Sequence, residues 1–198
     1  MKRLLGLFAA MAVALGGCAA LKPGDQPVTM RLSPAFAPAA ASPSPSFAVA
    51  PVQGRGVTGA LRYAYVDSAA PGEIHQAATL FWEEPPTAVL ARALVAGLRT
   101  RYATVTGPDL SLGADRRVVA VLDRFEEVTG VETKAVVAFD VTQVAGGKAI
   151  WAGRYCAARP IASAAGTARA AAFDGAIEQA VAAFVQDVAA GSVTAASC

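Results

Sequence analysis

Two stretches of the chain repeat their apolar residues at the spacing of an amphipathic helix. In residues 85–101, leucines recur at every fourth position, and two prolines stand at the start, where their missing N–H groups cost little. In residues 166–190, large apolar side chains recur at steps of three and four: Phe173, Ile177, Val181, Phe184 and Val188. We therefore predict two main helices, 85–101 and 166–190.

Short runs rich in β-branched and aromatic residues predict strands on either side of the first helix. They span residues 28–33, 47–52, 60–67, 102–106, 116–128, 132–142 and 148–156. Gly146 and Gly147 are a two-residue hairpin signal between the last two. Residues 34–46, rich in proline, alanine and serine, are predicted to form a loop that cannot order itself. This order of elements predicts a single α+β domain, in which a mixed or antiparallel sheet packs against the two helices.

The first 18 residues have the features of a bacterial lipoprotein signal. Lys2 and Arg3 precede a run of apolar residues, 4–15, which has the length of a signal-peptide h-region and is short for a membrane span. The string Leu15-Gly16-Gly17-Cys18 resembles a lipobox, in which the cysteine thiol is acylated before cleavage. An ordinary secretory signal and an uncleaved anchor are the alternatives. The lipobox interpretation divides the chain into a signal peptide (1–17), a lipidated tether (18–27) and a folded domain (28–198).

Lipidation at Cys18 predicts a location in the cell envelope, facing the periplasm. Two or three acyl chains would make the anchor effectively permanent, since one chain alone binds only marginally. Ala19 follows Cys18, where an aspartate would resemble the inner-membrane retention signal of enteric bacteria. We therefore expect the outer membrane rather than the inner one.

Charge and candidate chemistry exclude several classes of function. The chain has 17 basic and 15 acidic residues, and loss of the two basic residues of the signal leaves no basic field for nucleic acid. His75, the only histidine, is predicted in an exposed loop, and no nucleophile elbow accompanies it. The carboxylate pairs Glu83-Glu84 and Glu126-Glu127 are assigned to the helix start and to a strand leaving the sheet. We predict no catalytic residues, no metal site and no cofactor beyond the lipid on Cys18.

The two remaining cysteines, Cys156 and Cys198, have one intramolecular pairing once Cys18 is lipidated. Oxidising surroundings outside the cytoplasm permit a disulfide, which would staple the end of the chain to the sheet. Two unpaired thiols are the alternative.

Residues 61–98 resemble the ABC-type transport auxiliary lipoproteins, a family that includes paraquat-inducible protein C. The resemblance rests on a strand with arginine and tyrosine, an aspartate, a polar loop, and then a tryptophan followed by an acidic residue and proline at a helix start. Those positions are Arg62, Tyr63, Asp67, Trp82, Glu84, Pro85 and Pro86. Weaker matches extend over the mature chain, and the long stretch 34–46 is a departure from the family pattern.

The resemblance implies a non-enzymatic accessory of an ABC transport system that moves lipids with MCE-domain (mammalian cell entry) proteins. Its implied partners are the MCE-domain protein, the permease–ATPase complex and the membrane. Trp82, Glu84, Pro85 and Pro86 would form either a corner of the core or part of the docking face. Two other functions stay open, a cofactor of another envelope machine (cell-wall synthesis or outer-membrane assembly) and a periplasmic hydrolase built around His75.

Overall fold

The chain folds into nine strands and two α-helices over residues 26–110 and 113–192, which the computed structural model describes. In chain order the elements are β1 (Val28–Met30), β2 (Phe47–Val49), β3 (Gln53–Gly54), β4 (Arg62–Asp67), β5 (Ile74–Trp82), α1 (Pro86–Arg99), β6 (Val105–Thr106), β7 (Arg116–Thr129), β8 (Lys134–Ala145), β9 (Lys148–Pro160) and α2 (Gly166–Ala190). This order confirms the predicted α+β class, and α2 has the predicted bounds.

The long strands β7, β8 and β9 form an antiparallel meander at one side of a mixed sheet, with β9 at the edge. On its other edge β7 pairs in parallel with β2, β3 and β4. Strand β5 then pairs antiparallel with β4, while β1 runs parallel to β5 and β6 runs parallel to β2. Gly146 and Gly147 turn the chain between β8 and β9 with φ of 55° and 75°, which confirms the predicted two-residue turn.

Both helices pack into one hydrophobic core with the sheet. Helix α2 lies over β8 and β9, and α1 lies over β2 and β7 and against α2. The ring of Phe173 in α2 is 5.8 Å from that of Tyr63, 5.0 Å from Trp82 and 4.6 Å from Phe125, measured between centroids. These rings belong to β4, β5 and β7, so a single helix residue packs against three strands.

The prediction that His75 lies in a loop is wrong. His75 is in β5, where it is paired with Tyr65 of β4 and stacked on its ring at 5.2 Å. The first three residues of β5 are exposed. This end of the strand is ordered by backbone pairing and not by burial. The alternation of apolar and polar residues that predicts a half-buried strand is therefore weak here.

The proline-rich stretch 34–46 is a loop between β1 and β2, as predicted, but its backbone is fastened to the rest of the fold. We call residues 33–35 the strap, because they cross α2. The Ser33 N–H donates to the Asp174 carboxylate (2.9 Å), and the Ala35 N–H donates to Glu178 (2.7 Å). Further on, the Ser42 N–H donates to the Arg101 carbonyl at 2.7 Å. Hydrogen bonds therefore order a segment that could not order itself by burial.

Helices α1 and α2 cross at Gly97, and we predict that Gly97→Ala destabilises the fold. A Cβ at this position would lie 2.4 Å from Cγ1 of Val181. We expect the free energy of unfolding to fall by about 1–3 kcal/mol, the usual cost of overpacking, despite the better helix propensity of alanine. Urea denaturation measures this change in the free energy of unfolding. In the double variant Gly97→Ala/Val181→Ala, the free energy of unfolding should fall by less than the sum of the falls in the two single variants. Strict additivity would contradict the assigned contact.

The partial burial of Asp174 beside the strap makes stability depend on the ionisation of its carboxyl group. Burial raises the pKa of Asp174 from 3.8 to about 6. The hydrogen bond from the Ser33 N–H lowers this pKa, and the negative charge of Glu178 raises it. A folded-state pKa above the unfolded value means that ionisation costs the folded state stability, so stability falls as pH rises from about 4 through 6. Asp174→Asn, whose amide oxygen still accepts from Ser33, should flatten this pH dependence in urea melts. A wild-type-like pH profile in that variant would contradict the assignment.

Candidate docking surface at the strand-to-helix corner

Residues 82–86 turn the chain from β5 into α1, and we call them the corner. Neighbouring backbone holds the corner at both sides. The Trp82 N–H donates to the Leu61 carbonyl (2.7 Å), and the Glu83 N–H donates to the Met30 carbonyl (2.9 Å). Pro86 then begins α1, where a proline lacks only an N–H that has no partner within the helix.

The corner has a buried side, made by Trp82 and Pro86. Trp82 is 3% exposed, and its ring centroid lies 5.2 Å from Tyr63 and 5.4 Å from Phe125. Neither Trp82 nor Pro86 therefore presents surface to a partner, and of the four residues with an expected docking role only Glu84 and Pro85 are partly exposed. Trp82 instead holds the corner in place from inside the core.

Four charged side chains cover the outer side of the corner, and we call them the corner charges: Arg31, Glu83, Glu84 and Arg92. Arg31 donates two hydrogen bonds to the carboxylate of Glu83, and Arg92 donates two to Glu84. The Arg31 guanidinium lowers the pKa of Glu83. The Arg31 side chain is 74% exposed. Charges at this exposure add little to stability, so they are free to serve recognition.

A groove of about 490 Å³ continues from the corner along α1. Leu32 and Pro34 form one wall, Val89 and Arg99 lie on the helix side, and Pro108 belongs to the opposite loop. Arg92 lines this groove as well as pairing with Glu84. The corner charges and the groove therefore form one continuous surface.

The acidic members of this surface can be identified from the sequence, but their partners cannot. Glu83 and Glu84 were assigned to the positive end of the helix, whereas the structure pairs each with an arginine. Arg31 lies 52 residues from Glu83 in the chain, so no local pattern connects them. Arg92 is eight residues from Glu84, which is beyond the spacing of three or four at which side chains on a helix pair, so the sequence did not suggest this pair either.

His75 lies on the surface between Tyr65 and Glu73. Its ring stacks on Tyr65, and its Nε2 is 3.8 Å from a Glu73 carboxylate oxygen, with both side chains substantially exposed. Among the described residues, no three histidine, cysteine or acidic side chains are grouped so that they could hold a metal ion.

Glu126 and Glu127 do not leave the sheet as predicted, because both lie within β7 and are buried. Glu127 faces α2. It accepts a hydrogen bond from the Tyr63 hydroxyl (2.5 Å) and one from Nε of Arg169 (2.8 Å). Burial, and then the hydrogen bond to Glu127, raise the pKa of Tyr63. The sequence could not reveal this buried triad, since Arg169 lies 42 residues away from Glu127.

Cys156 is disulfide-bonded in the structure. Cys18 and Cys198 both lie outside the described residues. The lipid on Cys18 and the pairing of Cys156 with Cys198 therefore stay predictions.

Glu127→Ala should be strongly destabilising, because it leaves the buried Tyr63 hydroxyl without its acceptor and removes the carboxylate that pairs with the partly buried Arg169. We expect the free energy of unfolding to fall by about 3 kcal/mol or more. The matched control is Glu126→Ala. This variant removes the carboxylate that pairs with Arg124, but Arg124 is partly exposed, so water can hydrate it. That control should lose about 1 kcal/mol in the same urea denaturation experiment. Equal losses in the two variants would contradict the structural role of Glu127.

Two solved structures have a fold similar to that of this chain. Protein XCC0632 from Xanthomonas campestris superposes with a TM-score of 0.70 at 21% sequence identity, over 80% of this chain and 92% of the other. An uncharacterised protein superposes with a TM-score of 0.63 at 13% identity, over 81% of this chain and 99% of the other. No curated protein matches the sequence significantly. The model of the ABC-type transport auxiliary lipoprotein component matches residues 31–189, so the chain belongs to that family.

Proposed function

We propose that this protein is the periplasm-facing accessory of an MCE-type ABC transport system for lipids, held by a lipid on Cys18 and docked on the MCE-domain component. Family membership supports the coarser role, an auxiliary lipoprotein of ABC transport in the cell envelope, in a family that is not one of enzymes. Within the described part of the chain, no helix has the length and apolar character needed to cross a membrane. A lipid on Cys18 would supply the attachment.

The single observation that carries the docking proposal is the exposed charge pattern on a corner fixed from within. Two bidentate ion pairs, Arg31 with Glu83 and Arg92 with Glu84, lie side by side next to an open groove. The buried ring of Trp82 holds the backbone beneath them. A surface that is already ordered loses little entropy on binding, so such a site favours a specific protein partner.

The tether supports the proposal by its length. Eight Cα-to-Cα steps join position 18 to the first described residue, Gln26. Fully extended, they span roughly 28 Å at most, so the domain would stay close to the membrane that holds the lipid. The residue after Cys18, Ala19, favours the outer membrane.

Capture of an MCE-domain protein from the same genome tests the proposal. The lipidated full chain, solubilised in mild detergent, should recover that protein, and Arg31→Glu should weaken the recovery about tenfold by reversing one corner charge. The double variant Arg31→Glu/Glu83→Arg restores the internal ion pair but inverts the outer surface. It should therefore bind as weakly as the single variant.

The matched control is Arg117→Glu. Arg117 is exposed, and by the alternation of β7 it lies on the sheet face opposite the buried Val118 and the helices. This control should bind like the wild type. Failure of the wild type to recover any MCE-domain protein would contradict the proposal, and recovery of a cell-wall synthesis or outer-membrane assembly protein in its place would favour the rival function.

A further inference from the structure

Two turns and one connecting segment meet at one end of the sheet, which we call the hairpin end. They are the β4–β5 turn (68–73), the β7–β8 turn (130–133) and the segment before α2 (161–165). The Ser68 N–H donates to the Thr129 carbonyl at 2.9 Å, which joins the two turns. The Ile161 N–H donates to the Thr133 carbonyl at 2.9 Å, which joins the connecting segment to them.

The hairpin end exposes apolar side chains at its outermost points. Val131, at the β7–β8 turn, is fully exposed (112%), and Ile74, at the start of β5, is 46% exposed. An isolated exposed apolar residue is ordinary on a protein surface and would mean nothing alone. The exposure of Val131 becomes informative because of where this residue lies relative to the lipid-bearing end of the chain.

The N-terminal end of the first described strand is directed away from the corner. Strand β1 runs parallel to β5, with Val28 opposite Leu80 and Met30 opposite Trp82, so the N-terminal end of β1 is directed towards the start of β5. Val28 also adjoins the first turn of α2, where a Cβ on Gly166 would lie 3.5 Å from Cγ1 of Val28. Eight Cα-to-Cα steps join position 18 to Gln26, so a lipid on Cys18 would hold this side of the domain within roughly 28 Å of the anchoring bilayer.

The charges around the hairpin end argue against attraction to anionic lipid. Asp67, Glu73 and Glu132 are exposed there, against the exposed Lys134 and Arg159, so the acidic residues outnumber the basic ones. Contact with a membrane would therefore rest on apolar insertion. A single valine inserts weakly by itself, but a short tether makes the contact intramolecular and raises the effective concentration of the bilayer.

We propose that the hairpin end is the membrane-facing surface of the anchored protein, with Val131 inserted among the lipid headgroups. The inference rests on the lipid anchor of the proposed function and is independent of the docking partner. It orients the domain: β5 begins at the membrane side and ends at the corner, so the corner charges face away from the bilayer.

Tryptophan fluorescence with brominated lipids tests this orientation. The lipidated full chain is placed in phosphatidylethanolamine–phosphatidylcholine vesicles as Val131→Trp or as Ile150→Trp. Ile150, 50% exposed, is the matched control, because it follows the Gly146-Gly147 turn at the opposite end of the sheet. Relative to the wild type, which contains Trp82 and Trp151, Val131→Trp should add blue-shifted emission that brominated lipid quenches about twofold. The emission added by Ile150→Trp should not be quenched.

Flotation of the same vesicles separates the outcomes. Protein that floats without selective quenching at position 131 overturns the orientation and leaves the anchor intact. Protein that does not float overturns both the anchor and the orientation. Quenching that appears only when phosphatidylglycerol is added would show an electrostatic contact, and would overturn the apolar insertion.

Discussion

The packing of Phe173 against three rings of the sheet is the contact on which the rest of the structure depends. Tyr63, Trp82 and Phe125 belong to three different strands, and each has its ring centroid within 6 Å of Phe173. Aromatic pairs at such distances stabilise beyond the area that they bury. Because Trp82 is also the last residue of β5, the position of the helix decides where the corner forms and where its charges stand.

A buried polar triad extends this contact towards the hairpin end. Tyr63 and Arg169 both donate to Glu127, so strand β4, strand β7 and helix α2 share one carboxylate. The net free energy of a buried ion pair is small, but the cost of losing one partner is large. We interpret the triad as a second, polar contact that fixes the register of α2 over the sheet together with the rings around Phe173.

Most of the fold could be predicted from the sequence, but the functional surface only in part. The stripe that includes Phe173 gave the bounds of α2, because amphipathic periodicity over 25 residues is a strong local signal. The whole of strand β5 was missed, and its first part, around His75, is ordered by backbone pairing and not by burial. The pairs Arg31–Glu83 and Glu127–Arg169 join distant parts of the chain, so only the folded structure reveals them. Trp82 is a candidate contact residue in the sequence, but in the structure it is buried and supports the contact surface from beneath.

The account places docking at the corner, at the end of β5 away from the anchoring membrane. Photocrosslinking in cells tests this placement most directly, with a photoreactive amino acid in place of Arg31 and, as the control, in place of Arg117. The account predicts a crosslink to the MCE-domain protein from position 31 and none from position 117. A crosslink from position 117 alone, or from neither position, would contradict it.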